Sequence, residues 1–172
     1  MHKARHELRL DAAARVNRGF AQFRFAALAT FFLLVVMWGY AGQVFAAERV
    51  NTNSSAFAIG GYDPVGYFRD QKPVAGLDAH TATWNGKTWR FATAENRVAF
   101  LAEPDRYAPR YGGFCAYAVS QGYVAPIDPA AFSIVDGRLY LNYSPAIKQR
   151  WEKDRADYVS AAEKNWPKLS QE

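Results

Sequence analysis

Two dipeptides that favour tight hairpin turns, Asn85-Gly86 and Asp136-Gly137, constrain the fold of this chain more than any other feature. Each lies between short runs in which apolar and polar residues alternate, 80–93 in the first case and 131–143 in the second. Asn, Asp and Gly adopt the positive φ angles that a type I′ turn requires, and such alternation is typical of a half-buried strand. The sequence therefore predicts two β-hairpins.

Helix start signals follow both predicted hairpins. Thr93 stands before the segment AENRVAFLAEP as an N-cap, and Ser144 and Pro145 begin a second helix, over 146–166, that Pro167 ends. Ser and Thr accept hydrogen bonds from the first free N–H groups of a helix, and proline fits the first helical position. The residues available for the buried helix faces are Val98, Phe100 and Leu101 in the first helix and Ile147, Trp151, Tyr158 and Ala162 in the second.

The order of these elements predicts an α+β fold. The chain of 172 residues has room for one domain, and half of its residues are hydrophobic, which is sufficient for a packed core. We expect a small single domain with two β-hairpins and two main helices over residues 57–169, preceded by an N-terminal signal or anchor helix. The segment 48–56 is interpreted as a linker because it is polar and short of large apolar residues.

The N-terminal segment, residues 1–47, has the layout of a signal peptide or of a transmembrane anchor. Basic residues precede the apolar run 25–38, and small residues lead to a candidate cleavage point after Ala46. Residues 25–47 are also long enough to span the ~30 Å hydrocarbon core of a bilayer as a helix. In both interpretations residues 48–172 are periplasmic or otherwise extracytoplasmic, either secreted or anchored to the inner membrane.

The positive charge of the chain is concentrated in this leader. The net charge of the whole chain is +5, but residues 1–47 hold six basic and two acidic residues, which leaves fifteen basic and fourteen acidic residues after them. A nearly neutral domain lacks the electrostatic attraction that nucleic-acid binding needs. We therefore expect no nucleic-acid partner. The expected partners are a metal ion or a small ligand, and the membrane if the leader stays uncleaved.

Cys115 is the only cysteine of the chain, in the stretch YGGFCAYAVSQG. It has no intramolecular disulfide partner, and three roles remain open for it: a small buried hydrophobic residue, a metal ligand, or a reactive thiol. His80 is the one histidine after the leader. It is the candidate second ligand of a Cu(I) ion bound by Cys115, or the candidate base of a catalytic Cys115 thiol.

Tyrosines near Cys115 in the sequence predict a second kind of site. Tyr111, Tyr117 and Asn142 are candidate cofactor-binding or ligand-binding residues, because tyrosine combines an apolar ring with a polar hydroxyl. The alternative is that these side chains only build the core of the domain. The sequence contains no phosphate-binding loop, catalytic serine motif or paired metal-binding histidines.

Asp63 precedes Pro64 and has two interpretations. Its carboxylate either stands at the mouth of a site or begins an Asx turn, in which the side chain accepts a hydrogen bond from the backbone two residues further on. Aspartate before proline favours the turn.

Part of the chain resembles the YHS domain. The tripeptide DPV at 63–65 and the segment WNGKTWRFATAENRVAFLAEPDRYAP at 84–109 carry the resemblance, which covers roughly residues 57–110. The chain is similar to an exported YHS subgroup, and its remaining residues resemble the C-terminal helical extension of that subgroup. The resemblance implies a role in the handling of transition metals, copper above all. The matching positions are Phe91, Phe100, Pro104 and Tyr107.

Three positions depart from the YHS pattern. In metal-associated members of that family, cysteines occupy the positions that Gly66, Ala92 and Asn96 hold in this sequence. Thiolates bind soft metals such as Cu(I), and glycine, alanine and asparagine offer no equivalent ligand. A metal site in this chain would have to use other residues.

These observations leave three hypotheses for the function. The first is an exported, non-enzymatic YHS-like module that binds a transition metal, with copper as the cofactor that the resemblance implies, or a small ligand. The second is a thiol-dependent enzyme or redox factor that uses Cys115, with His80 as its base. The third is a structural protein-interaction module of the cell envelope.

Overall fold

The structure is a computed structural model that describes residues 48–52 and 56–172. The predicted signal or anchor segment, residues 1–47, lies outside the described residues. Within the described residues, no helix is long and apolar enough to cross a membrane. The elements, in chain order, are a 3-10 turn Ala58–Gly61, α1 Gly66–Arg69, β1 Leu77–Trp84, β2 Lys87–Phe91, α2 Ala94–Ala102, α3 Pro104–Tyr107, a 3-10 turn Tyr111–Gly113, α4 Ala116–Ser120, β3 Asp128–Val135, β4 Arg138–Asn142, α5 Pro145–Lys153 and α6 Arg155–Leu169.

The α+β class and both predicted hairpins are confirmed. β1 pairs with β2 and β3 pairs with β4, each as an antiparallel two-stranded sheet. Asn85 and Gly86 have φ angles of 49° and 68°, and Asp136 and Gly137 have φ angles of 51° and 71°. Both turns therefore have the positive φ angles that a type I′ connection requires. In total, the described residues form six α-helices, whereas two main helices were predicted.

The start of α2 is as predicted, but its buried face is not. Thr93 caps the helix, because its hydroxyl accepts a hydrogen bond of 3.1 Å from the backbone N–H of Asn96. Phe100 is fully buried, whereas Val98 and Leu101 are 60% and 49% exposed. Asn96 and Phe100, four residues apart, define the inward face. The prediction that Val98 and Leu101 point inward was wrong, because a polar residue occupies their place in the core.

The predicted C-terminal helix is two helices. Ser144 caps α5 as expected, with its hydroxyl 3.3 Å from the N–H of Ile147. The chain then leaves helical geometry at Asp154, whose φ and ψ are −126° and 42°, before α6 begins. Pro167 lies inside α6 and does not end it. Proline removes only its own N–H, and in the last turn of a helix the loss is one hydrogen bond.

Two hydrophobic clusters form the core, and β4 contributes to both. Leu139 and Leu141 belong to the first cluster, and Tyr140 belongs to the second. This division follows from the alternation of side chains along a strand. In the first cluster Trp89 and Phe91 of β2 pack on Phe100 of α2. The second cluster is formed by the residues Tyr111, Ala116, Val119, Tyr140, Trp151, Ala162, Trp166 and Leu169.

The first residues of the segment interpreted as a linker are packed into the domain. Val50 and Asn51 are 5% and 2% exposed. The backbone N–H of Asn51 donates to the carbonyl of Gly112 at 2.9 Å, and its side-chain amide donates to the carbonyl of Gly113 at 2.9 Å. The segment therefore differs from a free linker at these residues, because its polar backbone and side chains find partners in the loop before α4.

Candidate functional site

Cys115 is held in place by its own backbone. It occupies the N-cap position of α4, directly after Phe114. Its N–H donates to the carbonyl of Ala125 at 3.1 Å, and it forms a parallel bridge with Leu141 of β4. The thiol therefore points from a fixed position between the start of a short helix and the end of a strand.

The thiol of Cys115 is buried and protonated at neutral pH. The residue is 1% exposed. The backbone N–H of Tyr143 donates to Sγ at 3.3 Å, and the thiol donates to Oδ1 of Asn142 with Sγ and Oδ1 3.7 Å apart. Burial raises the pKa of the Cys115 thiol above its ordinary value, and the backbone N–H groups directed at the sulfur offset only part of this effect. A thiol in this state is a poor nucleophile.

Asn142 connects Cys115 to Tyr117. The side chain of Asn142 is fully buried, and its Oδ1 accepts a hydrogen bond of 3.2 Å from the backbone N–H of Tyr117. The same oxygen faces the thiol of Cys115. Its Nδ2 has no hydrogen-bond partner in the part of the chain that the structure describes. Asn142 thus fixes the first turn of α4 against the end of β4.

A cavity of about 200 Å³ opens beside the thiol, and we name it the Cys115 cavity. Tyr123 and Tyr143, which line it, are among the few large apolar residues that remain exposed, at 52% and 56%. Apolar sites with a few polar groups are the usual form of small-ligand pockets. No acidic or basic side chain is part of its wall, which consists of Cys115, Tyr117, Ala118, Tyr123, Ala125, Tyr143 and Ile147.

Tyr117, a wall residue of the Cys115 cavity, also contacts two side chains from the C-terminal helices. Tyr158 of α6 packs edge-on against its ring, with the ring centroids 5.2 Å apart. The guanidinium of Arg150, on α5, lies 5.8 Å from the centroid of the same ring. The neighbouring Tyr117 phenol raises the pKa of Arg150. None of the described Asp and Glu residues forms an ion pair with Arg150.

Of the five candidate site residues, the structure brings together Cys115, Tyr117 and Asn142. His80 lies on β1 and is not part of the wall of the Cys115 cavity. The pKa of Glu95 is lowered mainly by hydrogen bonds from its own backbone and from Thr93, and His80 makes only a smaller contribution in the same direction. No hydrogen bond or shared cavity therefore connects His80 to the thiol. Among residues 48–52 and 56–172, no group of three or more His, Cys, Asp or Glu side chains is placed to hold a metal ion.

Tyr111 belongs to a different part of the domain. Its hydroxyl lies 3.3 Å from Oε1 of Glu163, and the same carboxylate oxygen pairs with Arg110 at 2.5 Å. Burial raises the pKa of Tyr111, and the negative charge of Glu163 raises it further. These residues line a separate cleft of about 340 Å³, together with Trp84 and Trp166. Tyr111 is therefore not a ligand residue of the Cys115 cavity.

Asp63 forms a polar centre in the core that sequence reasoning described only in part. The predicted Asx turn is confirmed, because Oδ1 accepts hydrogen bonds from the N–H groups of Val65 at 2.8 Å and Gly66 at 3.2 Å. Oδ2 accepts from the N–H of Ala92 at 2.8 Å and from Nδ2 of Asn96 at 2.6 Å. The three positions where the YHS resemblance implies cysteines thus converge on one buried carboxylate.

Arg150 is the residue near the candidate site that sequence reasoning missed. It is one of several basic residues on an exposed helix, and nothing in its local sequence distinguishes it. The usable signal is its spacing from Ile147, because residues three apart on a helix are neighbours on its surface. That signal becomes informative only once Ile147 is known to line a cavity.

The fold and the cavity define a small α+β domain with an apolar pocket beside a buried thiol. Comparison with known proteins adds no relative: no protein-family model matches the chain, and no curated protein or solved structure is significantly similar to it. The resemblance to the YHS domain therefore remains a prediction from the residues that carry it.

Proposed function

We propose that this protein is a non-enzymatic binding module for a small ligand and that its site is the Cys115 cavity. The observation that carries the proposal is a cavity whose wall includes Cys115, Tyr117 and two exposed tyrosines, while the buried Asn142 holds Cys115 and Tyr117 in place from outside that wall. Cys115 at the N-cap, the end of β4 and α4 form the pocket, and hydrogen bonds hold these parts together. The pocket is therefore formed before a ligand binds.

The same geometry favours the small-ligand form of this hypothesis over copper binding. A two-coordinate Cu(I) site needs a second soft or imidazole ligand beside the sulfur. The wall of the Cys115 cavity offers phenol and alkyl groups, and His80 is not part of it. Copper binding and the placement of the domain outside the cytoplasm remain predictions from the sequence.

The properties of the thiol also favour binding over thiol catalysis. Catalytic cysteines have a depressed pKa and an adjacent base. Burial shifts the pKa of Cys115 in the opposite direction, and its described side-chain partner is the amide of Asn142. A neutral thiol that faces an amide oxygen can form part of a pocket wall, but it is not prepared to act as a nucleophile.

Titration of the full-length protein with benzyl alcohol tests the proposed function. Backbone amide NMR signals of Cys115, Ala125 and Tyr143 should shift together and saturate. Ala125→Phe fills the cavity from a partly exposed wall position and should abolish these shifts. Ala102→Phe, at the exposed end of α2, is the matched control and should leave them unchanged. An absence of saturable shifts, or shifts that persist in Ala125→Phe, would contradict the proposal.

A further inference from the structure

The size of the Cys115 cavity limits what enters it. Its volume is about 200 Å³. An engineered apolar cavity of about 150 Å³ holds one benzene molecule. The Cys115 cavity therefore accommodates one six-membered ring, or a branched alkyl group of similar size, with room for one substituent. A nucleotide or a larger cofactor does not fit in this volume.

The polar groups close to the cavity determine which substituent is recognised. Tyr117 provides one wall, and the guanidinium of Arg150 lies over its ring at 5.8 Å from the centroid. Ile147, another wall residue, precedes Arg150 by three positions on α5, so the two side chains are neighbours on the helix surface. Arg150 is thus next to two wall residues of the cavity, Tyr117 and Ile147, without being part of the apolar wall itself.

The charge of Arg150 is available to a ligand. Neighbouring Lys148 is paired with Glu152 at 3.6 Å, whereas none of the described carboxylates pairs with Arg150. The contacts of Arg150 are with the Tyr117 ring and phenol. A planar guanidinium binds a carboxylate through two parallel hydrogen bonds, and no acidic side chain of the cavity wall opposes an anion.

We propose that the ligand of the Cys115 cavity is a small monocarboxylate with one ring-sized apolar group. The apolar group occupies the cavity against Tyr117, and the carboxylate pairs with Arg150. This inference rests on the proposed function and adds to it the chemical class of the ligand and a residue that selects it.

Paired probes of equal size separate this inference from the proposed function. Benzoate and benzyl alcohol are titrated into the full-length protein at low ionic strength, and the dissociation constants are compared. We expect benzoate to bind about 10-fold more tightly, a difference of about 1.4 kcal/mol. Raising the salt concentration should reduce this difference, because the pair formed with Arg150 is exposed to solvent.

Substitution of the arginine completes the test. Arg150→Gln should lower the affinity for benzoate about 10-fold and leave the affinity for benzyl alcohol unchanged. Arg155→Gln makes the same charge change at an exposed position on α6 and should affect neither. Equal affinities for the two probes, or an unchanged affinity for benzoate in Arg150→Gln, would overturn the inference and leave the cavity intact. Failure of both probes to bind would overturn the proposed function itself.

Discussion

Asp63 and Asn96 are joined by a hydrogen bond of 2.6 Å, from Nδ2 of Asn96 to Oδ2 of Asp63, although 33 residues separate them in the sequence. Both residues are buried. Asn96 in turn accepts a hydrogen bond of 2.6 Å from the guanidinium of Arg69. The contact between Asp63 and Asn96 connects the loop before α1 to the junction of β2 and α2 inside the core, and Arg69 extends it to the surface.

Replacement of Asp63 by asparagine should destabilise the domain strongly. Each carboxylate oxygen of Asp63 accepts two hydrogen bonds, and an amide group retains only one acceptor oxygen. The new NH₂ group would face two donors that lose their partner. We expect Asp63→Asn to lower the free energy of unfolding by about 3 kcal/mol, measured by urea denaturation.

The matched control is Asp70→Asn, which makes the same chemical change at an exposed position. It should change the free energy of unfolding by less than about 0.5 kcal/mol. If Asp63→Asn were equally mild, the carboxylate would not be the centre of the network that these distances describe.

Gly112 controls how the segment 48–52 packs. Its φ angle is +58°, and a Cβ atom there would collide with the carbonyl oxygen of Arg49. Gly112→Ala should therefore release the hydrogen bond from Asn51 to Gly112, expose this segment to proteases, and cost about 3 kcal/mol of stability. Limited proteolysis with mass analysis of the fragments, beside a denaturation curve, measures both effects.

Gly137→Ala provides the comparison for Gly112→Ala. Gly137 has a similar φ angle of +71°, but an added Cβ atom would meet nothing within 4 Å. Its substitution should cost only the backbone strain, about 1 kcal/mol, with no new protease site. Similar costs and cleavage patterns for the two variants would show that the approach of Arg49 to Gly112 is not a constraint on the fold.

Cys115 should react slowly with iodoacetamide in the folded protein. The thiol is enclosed and its pKa is raised by burial, so the thiolate that performs the reaction is scarce at pH 7.5. We expect alkylation at least about 10-fold slower than in the same protein unfolded in guanidinium chloride, followed by mass spectrometry. Rapid alkylation of the folded protein would restore the hypothesis of a catalytic thiol.

The raised pKa of Cys115 also predicts how stability depends on pH. Below the ordinary pKa of cysteine, the thiol is protonated in both the folded and the unfolded chain and contributes no pH dependence. As the pH rises above about 8.5, the unfolded thiol ionises first, so protons favour the folded state and stability falls. Stability continues to fall until the pH exceeds the pKa of the Cys115 thiol in the folded protein.

The measurement is the difference in Tm between the wild type and Cys115→Ala from pH 7 to pH 10.5. The variant lacks the thiol, so the contributions of other groups cancel in the comparison. The wild type should lose stability relative to Cys115→Ala above pH 8.5. Parallel curves would mean that burial does not shift the pKa of this thiol.

The parts of the fold that follow from short stretches of sequence were predictable. The turns at Asn85-Gly86 and Asp136-Gly137 and the caps Thr93 and Ser144 depend on the conformational preferences of one or two residues, and the structure has all four. The break at Asp154 had no such signal, since no glycine or proline marks it. Trp151 of α5 and Trp166 of α6 both pack in the second hydrophobic cluster.

The candidate site was predictable in part, for a physical reason. Cys115 and Tyr117 are neighbours in one helix turn, and β4 delivers Asn142 to them. His80 and Tyr111 were grouped with them by residue type alone, and residue type does not determine which sheet face or cleft a side chain reaches. Arg150 was missed because its position matters only after α5 is placed against Tyr117.

A crystal structure of the full-length protein soaked with 4-bromobenzoate tests directly whether the Cys115 cavity is a binding site. Anomalous scattering from bromine locates the probe without reference to any expected pose. We expect a bromine peak inside the cavity between Tyr117 and Tyr143, with the carboxylate directed at Arg150. A cavity without bromine, in a crystal where the probe is bound elsewhere, would contradict this expectation.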